Sequence, residues 1–359
     1  MTVFLTIIVL ALLAVTGWQM SKIFQLSQGN QNVGNDSEVA NDKDNRINGY
    51  LSIMFLIFLY VISIYCFWNY SEFYLPEASS AHGADYDTLM FITIALIMFV
   101  QVITQFLLFY FSNKYAGKKG QRALFYADND KLEFIWTIIP VVVLAGLILY
   151  GLFTWSDIMN VEETEDTMVV ELYAYQFAWR ARYSGDDNTL GKANVRYIEG
   201  INALGVDPSD NYGKDDVITT ELHLPVNKPV LFKFRSQDVL HSAYMPFFRA
   251  QMNVVPGMIT QFGFTPTVTS EDIQESEFMI KKVRKINEIR RENSKDLVAK
   301  GEEPLDSYEF EYYLLCNKIC GKSHYNMQMK IVVESEEDFN AWMAEQKTLS
   351  EELSAQASN

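Results

Sequence analysis

The chain has 359 residues, with 45 Asp and Glu against 29 Lys and Arg, a formal net charge of −16. A surface of that sign repels nucleic acid and steers basic proteins toward it, and three cysteines are too few for a disulfide framework. The charge is unevenly spread: residues 157–359 hold 34 acids and 21 bases, net −13, and the first 156 hold 11 and 8, net −3, so an apolar part precedes a polar one.

Four apolar runs, about 3–20, 50–68, 89–111 and 132–155, each approach the roughly 20 helical residues that a bilayer core requires. The first could instead be a secretory signal, but it has no basic n-region, which favours a retained helix. Residues 29–45, rich in Asn, Asp and Gln, read as a mobile linker. Cys66 lies in the second run and reads as a core or lipid-facing residue. The loop 112–131 carries Lys114, Lys118, Lys119 and Arg122, whereas 69–87 carries Glu72, Glu77, Asp85 and Asp87 and no base. The positive-inside rule then sets the first loop in the cytoplasm, and both termini with the acidic domain outside. Asp130 followed by Glu133 reads as a capping box opening the fourth helix.

Beyond residue 156 the pattern changes to short strands. Residues 169–183, rich in Tyr, Phe and Trp, read as a half-buried strand, followed by runs at 217–224, 230–235, 260–265, 310–315 and 329–333. Pro225, Pro229, Pro256-Gly257 and Pro266 punctuate them, the signature of an all-β Greek-key sandwich. Residues 185–213 read as an irregular loop. Residues 270–300 read as a helix with Met279, Val283, Ile286 and Ile289 on one stripe and Gly301 as its stop, and 336–355 as a surface helix anchored by Phe339 and Trp342.

The chemistry concentrates in residues 316–327, Cys-Asn-Lys-Ile-Cys-Gly-Lys-Ser-His-Tyr-Asn-Met. Two thiols, an imidazole and a thioether in twelve residues favour copper over hard cations, with zinc the main competitor. His241, in Asp238-Val239-Leu240-His241-Ser242, offers a second imidazole. A single blue-copper site needs one thiolate; a second points to two metals bridged by two sulfurs. His82 and His223 read as surface loop and strand residues.

This run, with Asp238–Ser242, resembles the binuclear copper (CuA) signature of subunit II of the haem-copper cytochrome c oxidases. The resemblance extends through 222–229, Val255-Pro256-Gly257 and Glu133-Phe-Ile-Trp-Thr-Ile-Ile-Pro140, and covers about residues 88–347. It implies a cupredoxin-like sandwich and two copper ions held by His241, Cys316, Cys320, His324, Met327 and the backbone carbonyl of Lys318. It implies that Glu133 stands at a proton-uptake entrance, a role compatible with helix capping. By the same resemblance Phe177 and Trp179, in Gln176-Phe-Ala-Trp, receive electrons from a c-type cytochrome, although Phe177 stands where the family carries Trp and both aromatics could be ordinary core. Where the family has a Glu that helps to hold Mg²⁺, this chain has Lys318, whose ammonium cannot ligate a hard cation; that ion is in doubt.

The implied function is the electron-accepting subunit of an aa3-type terminal oxidase. It would feed haem in catalytic subunit I, alongside other oxidase subunits and the lipid bilayer, with oxygen reduced to water in the partner and protons translocated. The expected division is an additional helical region 1–87, a transmembrane hairpin 88–156, a periplasmic copper domain 157–347 with an inserted helix at about 270–300, and a tail 348–359. The extra helices and the insertion favour a bacterial inner membrane over the compact mitochondrial form. The inserted helix, with Lys281, Lys282, Arg284, Lys285, Arg290 and Arg291, reads as a contact for a partner subunit or donor, or as a solvated charged face. A membrane-anchored thiol-redox copper chaperone is the main alternative, but its histidine would lie well after the cysteines. A quinol oxidase subunit would lack the ligands, and four histidines are too few for a nitrous-oxide-reducing copper cluster. No Cys-x2-Cys-His motif occurs, so no c-type haem attaches to this chain.

Overall fold

The computed structural model describes residues 2–29, 42–71, 74, 76–122, 124–160, 164 and 166–357. Most of the expected linker (30–41) and Glu72 lie outside them. The four apolar runs are helices α1 (Thr2–Gly29), α2 (Asp42–Tyr70), α3 (Gly83–Lys114) and α4 (Asp130–Met159). All four are long and apolar enough to cross a membrane. Their side chains are largely exposed, Cys66 among them, as apolar residues facing lipid would be. The capping box is corrected: Asn129 caps α4, its Oδ1 accepting the N–H of Leu132 at 3.0 Å. Glu133 falls one position beyond the box's third residue.

Two compact units divide the chain, Met1–Asn69 with Ile97–Leu132, and Tyr70–Leu96 with Glu133–Asn359. In the first, Tyr60 donates to the Val102 carbonyl at 2.7 Å. Gly49 leaves room for Asn113, whose Nδ2 would stand 2.8 Å from a Cβ added there.

Among the described residues the second unit contains ten strands: β1 (Met168–Tyr175), β2 (Ala178–Tyr183), β3 (Val217–Thr219), β4 (Leu222–Pro225), β5 (Val230–Ser236), β6 (His241–Met245), β7 (Ala250–Val254), β8 (Thr260–Phe264), β9 (Tyr312–Cys316) and β10 (Gln328–Glu334). They form two five-stranded sheets, ordered β3-β2-β1-β5-β8 and β4-β10-β9-β6-β7. Both are mixed, since β1 pairs β5 and β10 pairs β4 in parallel while the other pairs are antiparallel. Between them lies an apolar core that includes Trp179, Phe232, Phe234, Leu224, Phe248, Tyr312 and Ile331. The expected membrane helices and all-β sandwich are therefore both present.

Several elements depart from the sequence reading. Residues 169–183 form a hairpin rather than one strand, and β1 is covered on both faces. Its outer face packs Tyr173 against Leu204 and Val206 of the irregular loop and against Leu349. The run 217–224 divides between β3 and β4, which belong to different sheets. Finally, β6 and β7 are absent from that reading: β6 is buried almost throughout, and β7, although Ala250, Met252 and Val254 alternate with Gln251 and Asn253, is only five residues long.

The inserted helix breaks at Ser276 into α5 (Ser270–Glu275) and α6 (Glu277–Ala299). Thr269 and Ser276 cap the two pieces by accepting the N–H groups of Asp272 and Met279. The last stretch likewise divides into α7 (Glu336–Ala344) and α8 (Leu349–Ala357). The segment before α3 is stitched to the sandwich. Ser79 N–H donates to Phe247 at 2.8 Å, Ala81 N–H to Thr265 at 3.0 Å, and Tyr312 Oη to Ser79 Oγ at 2.9 Å.

Neither remaining histidine is a surface residue. His223 is buried, stacked on Trp342 at 3.8 Å with Nδ1 2.8 Å from Glu334. His82 is half-buried beside Phe262 and Phe264, and burial holds its imidazole below the usual value. His82 does lie in a loop and His223 in strand β4, as expected, and only their burial differs, because a lone histidine carries no periodic signal.

Candidate metal centre

Strand pairing brings together two segments 75 residues apart. Cys316 ends β9 and pairs with Ala243 of β6, two residues from His241. From Cys316 the chain leaves the sheet, turns through 317–323 and returns by a 3₁₀ turn at His324–Asn326 to start β10. Cys316 N–H donates to the Met327 carbonyl at 3.1 Å and so closes this loop at its base.

The two thiols stand 3.7 Å apart. Cys316 Sγ lies 3.8 Å from His241 Nδ1 and 3.2 Å from the Lys318 carbonyl oxygen. Cys320 Sγ lies 3.7 Å from both His324 Nδ1 and Met327 Sδ. All six groups expected at the site converge. Donor atoms of His241, Cys316 and Cys320 lie within 4.8 Å of one another. His241, Cys316, Cys320 and Met327 are buried, and His324 is half-buried.

Burial, reinforced by the neighbouring Cys316, pushes the Cys320 thiol up to about 11. Two adjacent buried thiolates need cationic compensation. Soft sulfur and imidazole donors with no carboxylate among them fit copper and not Mg²⁺ or Ca²⁺.

Asp238 orients one donor. Its Oδ1 lies 2.9 Å from His241 Nε2, so the ring donates there and turns the Nδ1 lone pair to the thiols. Burial opposes ionisation of Asp238, but hydrogen bonds from His241 and from the N–H groups of Gln176 and Val239 outweigh it and hold the carboxyl below its usual range. Gln176 also donates its side-chain amide to the Cys320 carbonyl. Sequence reasoning missed both contacts; their one signal was membership of the motifs around Phe177 and His241.

Phe177 is half-buried and lies against Gly321. Trp179 is only 3% exposed, edge-on to the His241 ring at 6.1 Å. Lys318 is exposed. Glu133 is not part of this cluster: it is exposed near the start of α4, about 39 Å along the helix from Met159 at 1.5 Å per residue.

Residues 68–153 match the family model described as cytochrome c oxidase subunit II, transmembrane domain. The alternative cytochrome c oxidase subunit 2 of Bradyrhizobium diazoefficiens is 30% identical over 300 residues, covering 83% of this chain and 93% of that protein. The chain belongs to the cytochrome c oxidase subunit 2 family. Membership makes it part of an oxidoreductase complex. The cytochrome c oxidase subunit 2 of Cereibacter sphaeroides is 25% identical, covering 78% of this chain and 80% of the relative. Among solved structures, the periplasmic domain of cytochrome oxidase subunit II from Bradyrhizobium japonicum is 19% identical with a TM-score of 0.29, covering 52% of this chain and 95% of that one.

Proposed function

We propose that this subunit takes electrons from a c-type cytochrome and passes them to haem in catalytic subunit I of an aa3-type respiratory oxidase. The observation that carries the reading is the convergence of His241, Cys316, Cys320, His324, Met327 and the Lys318 carbonyl around two thiols 3.7 Å apart. Two bound coppers would supply a one-electron relay there. The chain's own residues make that relay rigid. Strand pairing fixes Cys316, Asp238 fixes the His241 tautomer, and burial excludes water. Phe177, half-exposed over the loop, supplies an aromatic contact for a donor, and Trp179 fills the space beside His241.

In this reading oxygen is reduced to water in the partner subunit, and Glu133 receives protons at the cytoplasmic mouth of an uptake path. The domain expectations carry over: an additional region 1–87, a hairpin 88–156, a copper domain 157–347 on the periplasmic side of a bacterial inner membrane, and a tail 348–359. Lys318 presents an ammonium that cannot ligate Mg²⁺.

Metal analysis and electron paramagnetic resonance of the purified oxidase test the assignment. A signal from one unpaired electron shared by two copper nuclei, lost in Cys320→Ser, is expected. One copper or none at these residues, with a reversible Cys316–Cys320 disulfide, would instead indicate a thiol-redox copper chaperone. Glu133→Gln is expected to slow oxygen uptake, and unchanged turnover would remove the proton role.

A further inference from the structure

The turn between β1 and β2 grips the metal loop in a way that the ligand set does not require. Gln176 donates its side-chain amide to the Cys320 carbonyl. Its own backbone N–H donates to Asp238 Oδ2 at 2.7 Å, and the other oxygen of Asp238 holds His241 Nε2. One residue thus ties together the two segments that carry the donors, 238–241 and 316–327.

Cys320 needs such a tie. Its Sγ lies 3.7 Å from each of Cys316 Sγ, His324 Nδ1 and Met327 Sδ, so an error in its position disturbs three distances together. Cys316 is held by the β9 ladder, but β9 ends there and Cys320 lies outside any strand. Beside it, Gly321 has φ +146° and leaves space for the Phe177 ring, so the next residue cannot carry a side chain that would anchor the loop.

We propose that Gln176 is a positioning residue for the metal loop: its amide fixes the Cys320 carbonyl, and through it the sulfur, relative to the other donors. This rests on the two-copper reading above. Gln176 touches no metal. Losing its amide should therefore leave copper number intact while loosening the donor frame.

The test compares Gln176→Met, of equal length without a donor, with Gln176→Lys, which keeps a donor able to reach the carbonyl, in the intact oxidase. The Met variant is expected to retain two coppers and an unchanged thermal midpoint. It should release copper to a chelator at least about tenfold faster and show an altered copper hyperfine pattern, with the Lys variant moving both back toward wild type. If the Met variant fails to assemble, Gln176→Asn, one methylene too short to reach the carbonyl, reads the same quantities. Wild-type release and spectrum in the variant without a donor would overturn the proposal. So would a lowered midpoint with changes that Lys does not reverse, since that marks a structural role only. A wild-type oxidase lacking the two-copper signal would overturn the underlying reading, and this one with it, before any variant is compared.

Discussion

Asp238 Oδ1 lies 2.9 Å from Nε2 of the fully buried His241, and this contact decides which ring nitrogen faces the thiols. The same carboxylate accepts the N–H groups of Gln176 and Val239, each at 2.7 Å. Its position is therefore set by backbone from two segments rather than by its own rotamer.

Replacing Asp238 by Ala should weaken copper binding by about 10–100-fold, the usual cost of losing the partner of a ligating imidazole. Asp238→Asn keeps an oxygen acceptor for His241 and should lose much less. Competition with a copper chelator measures both; equal losses would show that the charge matters and the orientation does not.

Gly321 and Phe177 make a second, steric pair. A Cβ at position 321 would stand 2.8 Å from Cε1 and Cζ of the Phe177 ring and 2.9 Å from Gln176 Nε2, and φ of +146° is itself unfavourable for other residues. Gly321→Ala should displace the ring and the loop and slow copper reduction by the donor. Adding Phe177→Leu should recover part of the loss, because it relieves the clash but not the backbone strain. Stopped-flow reduction of the copper signal separates the single and double variants, and strict additivity would refute a direct clash.

The sequence and the structure agree most closely where local pattern suffices. Four long apolar runs can be read from hydropathy alone, and the spacing of Cys316, Cys320, His324 and Met327 already places four donors on one loop. What remained hidden depends on contacts distant in sequence. Residues 169–183 looked like one half-buried strand because nothing local tells that residues 185–213 fold back over Tyr173. Gln176 reaches a carbonyl 144 residues away, and His223 finds Glu334 across 111 residues. The strand β6 is short, and its burial is nearly continuous, so no alternation announces it.

Arg249 shows the same long reach at the junction with α3. Its guanidinium donates to both oxygens of Asp87 at 2.8 Å and to the carbonyl oxygens of Pro76 at 2.6 Å and Pro246 at 3.0 Å. The Arg249 side chain is 7% exposed. Arg249→Met leaves the part-exposed Asp87 and the two carbonyls without their donor and should cost about 1–3 kcal/mol, the range for leaving such polar groups unsatisfied. Limited proteolysis should then cut within 76–82. Adding Asp87→Asn should cost less than the sum of the single changes, and full additivity in thermal unfolding would show that the pair is not coupled.

A buried ionic group braces the outer face of the first sheet. Glu171 binds Arg182 at 2.9 Å and Arg235 at 2.7 Å, and Arg235 lies over the Tyr173 ring at 4.4 Å. Burial alone would raise the Glu171 carboxyl, but the two guanidinium groups outweigh it and hold it below its usual value. Its stabilisation is therefore present above the ordinary glutamate value and is lost as pH falls through the depressed native one. Glu171→Gln should cost about 3–5 kcal/mol at neutral pH, with the deficit shrinking in acid; a deficit independent of pH in thermal unfolding would contradict the ionic account.

Asp216, the second carboxyl of the group, acts with the opposite sign. Its Oδ2 accepts from Arg182 at 2.8 Å and from the Gly191 N–H at 3.2 Å, while Oδ1 has no partner among the described residues. Burial outweighs Arg182 and pushes the carboxyl up to about 6. A raised native value means that its contribution is complete below the unfolded value near 4 and is lost as pH rises through about 6. Asn imitates the protonated form and removes this dependence. Asp216→Asn should therefore gain on wild type between about pH 4 and pH 7, by up to about 3 kcal/mol at 1.36 kcal/mol per unit. Thermal midpoints across that range measure the difference. A constant offset, or a variant that loses ground as pH rises, would mean that Arg182 keeps Asp216 ionised and that the ion pair stabilises the sheet.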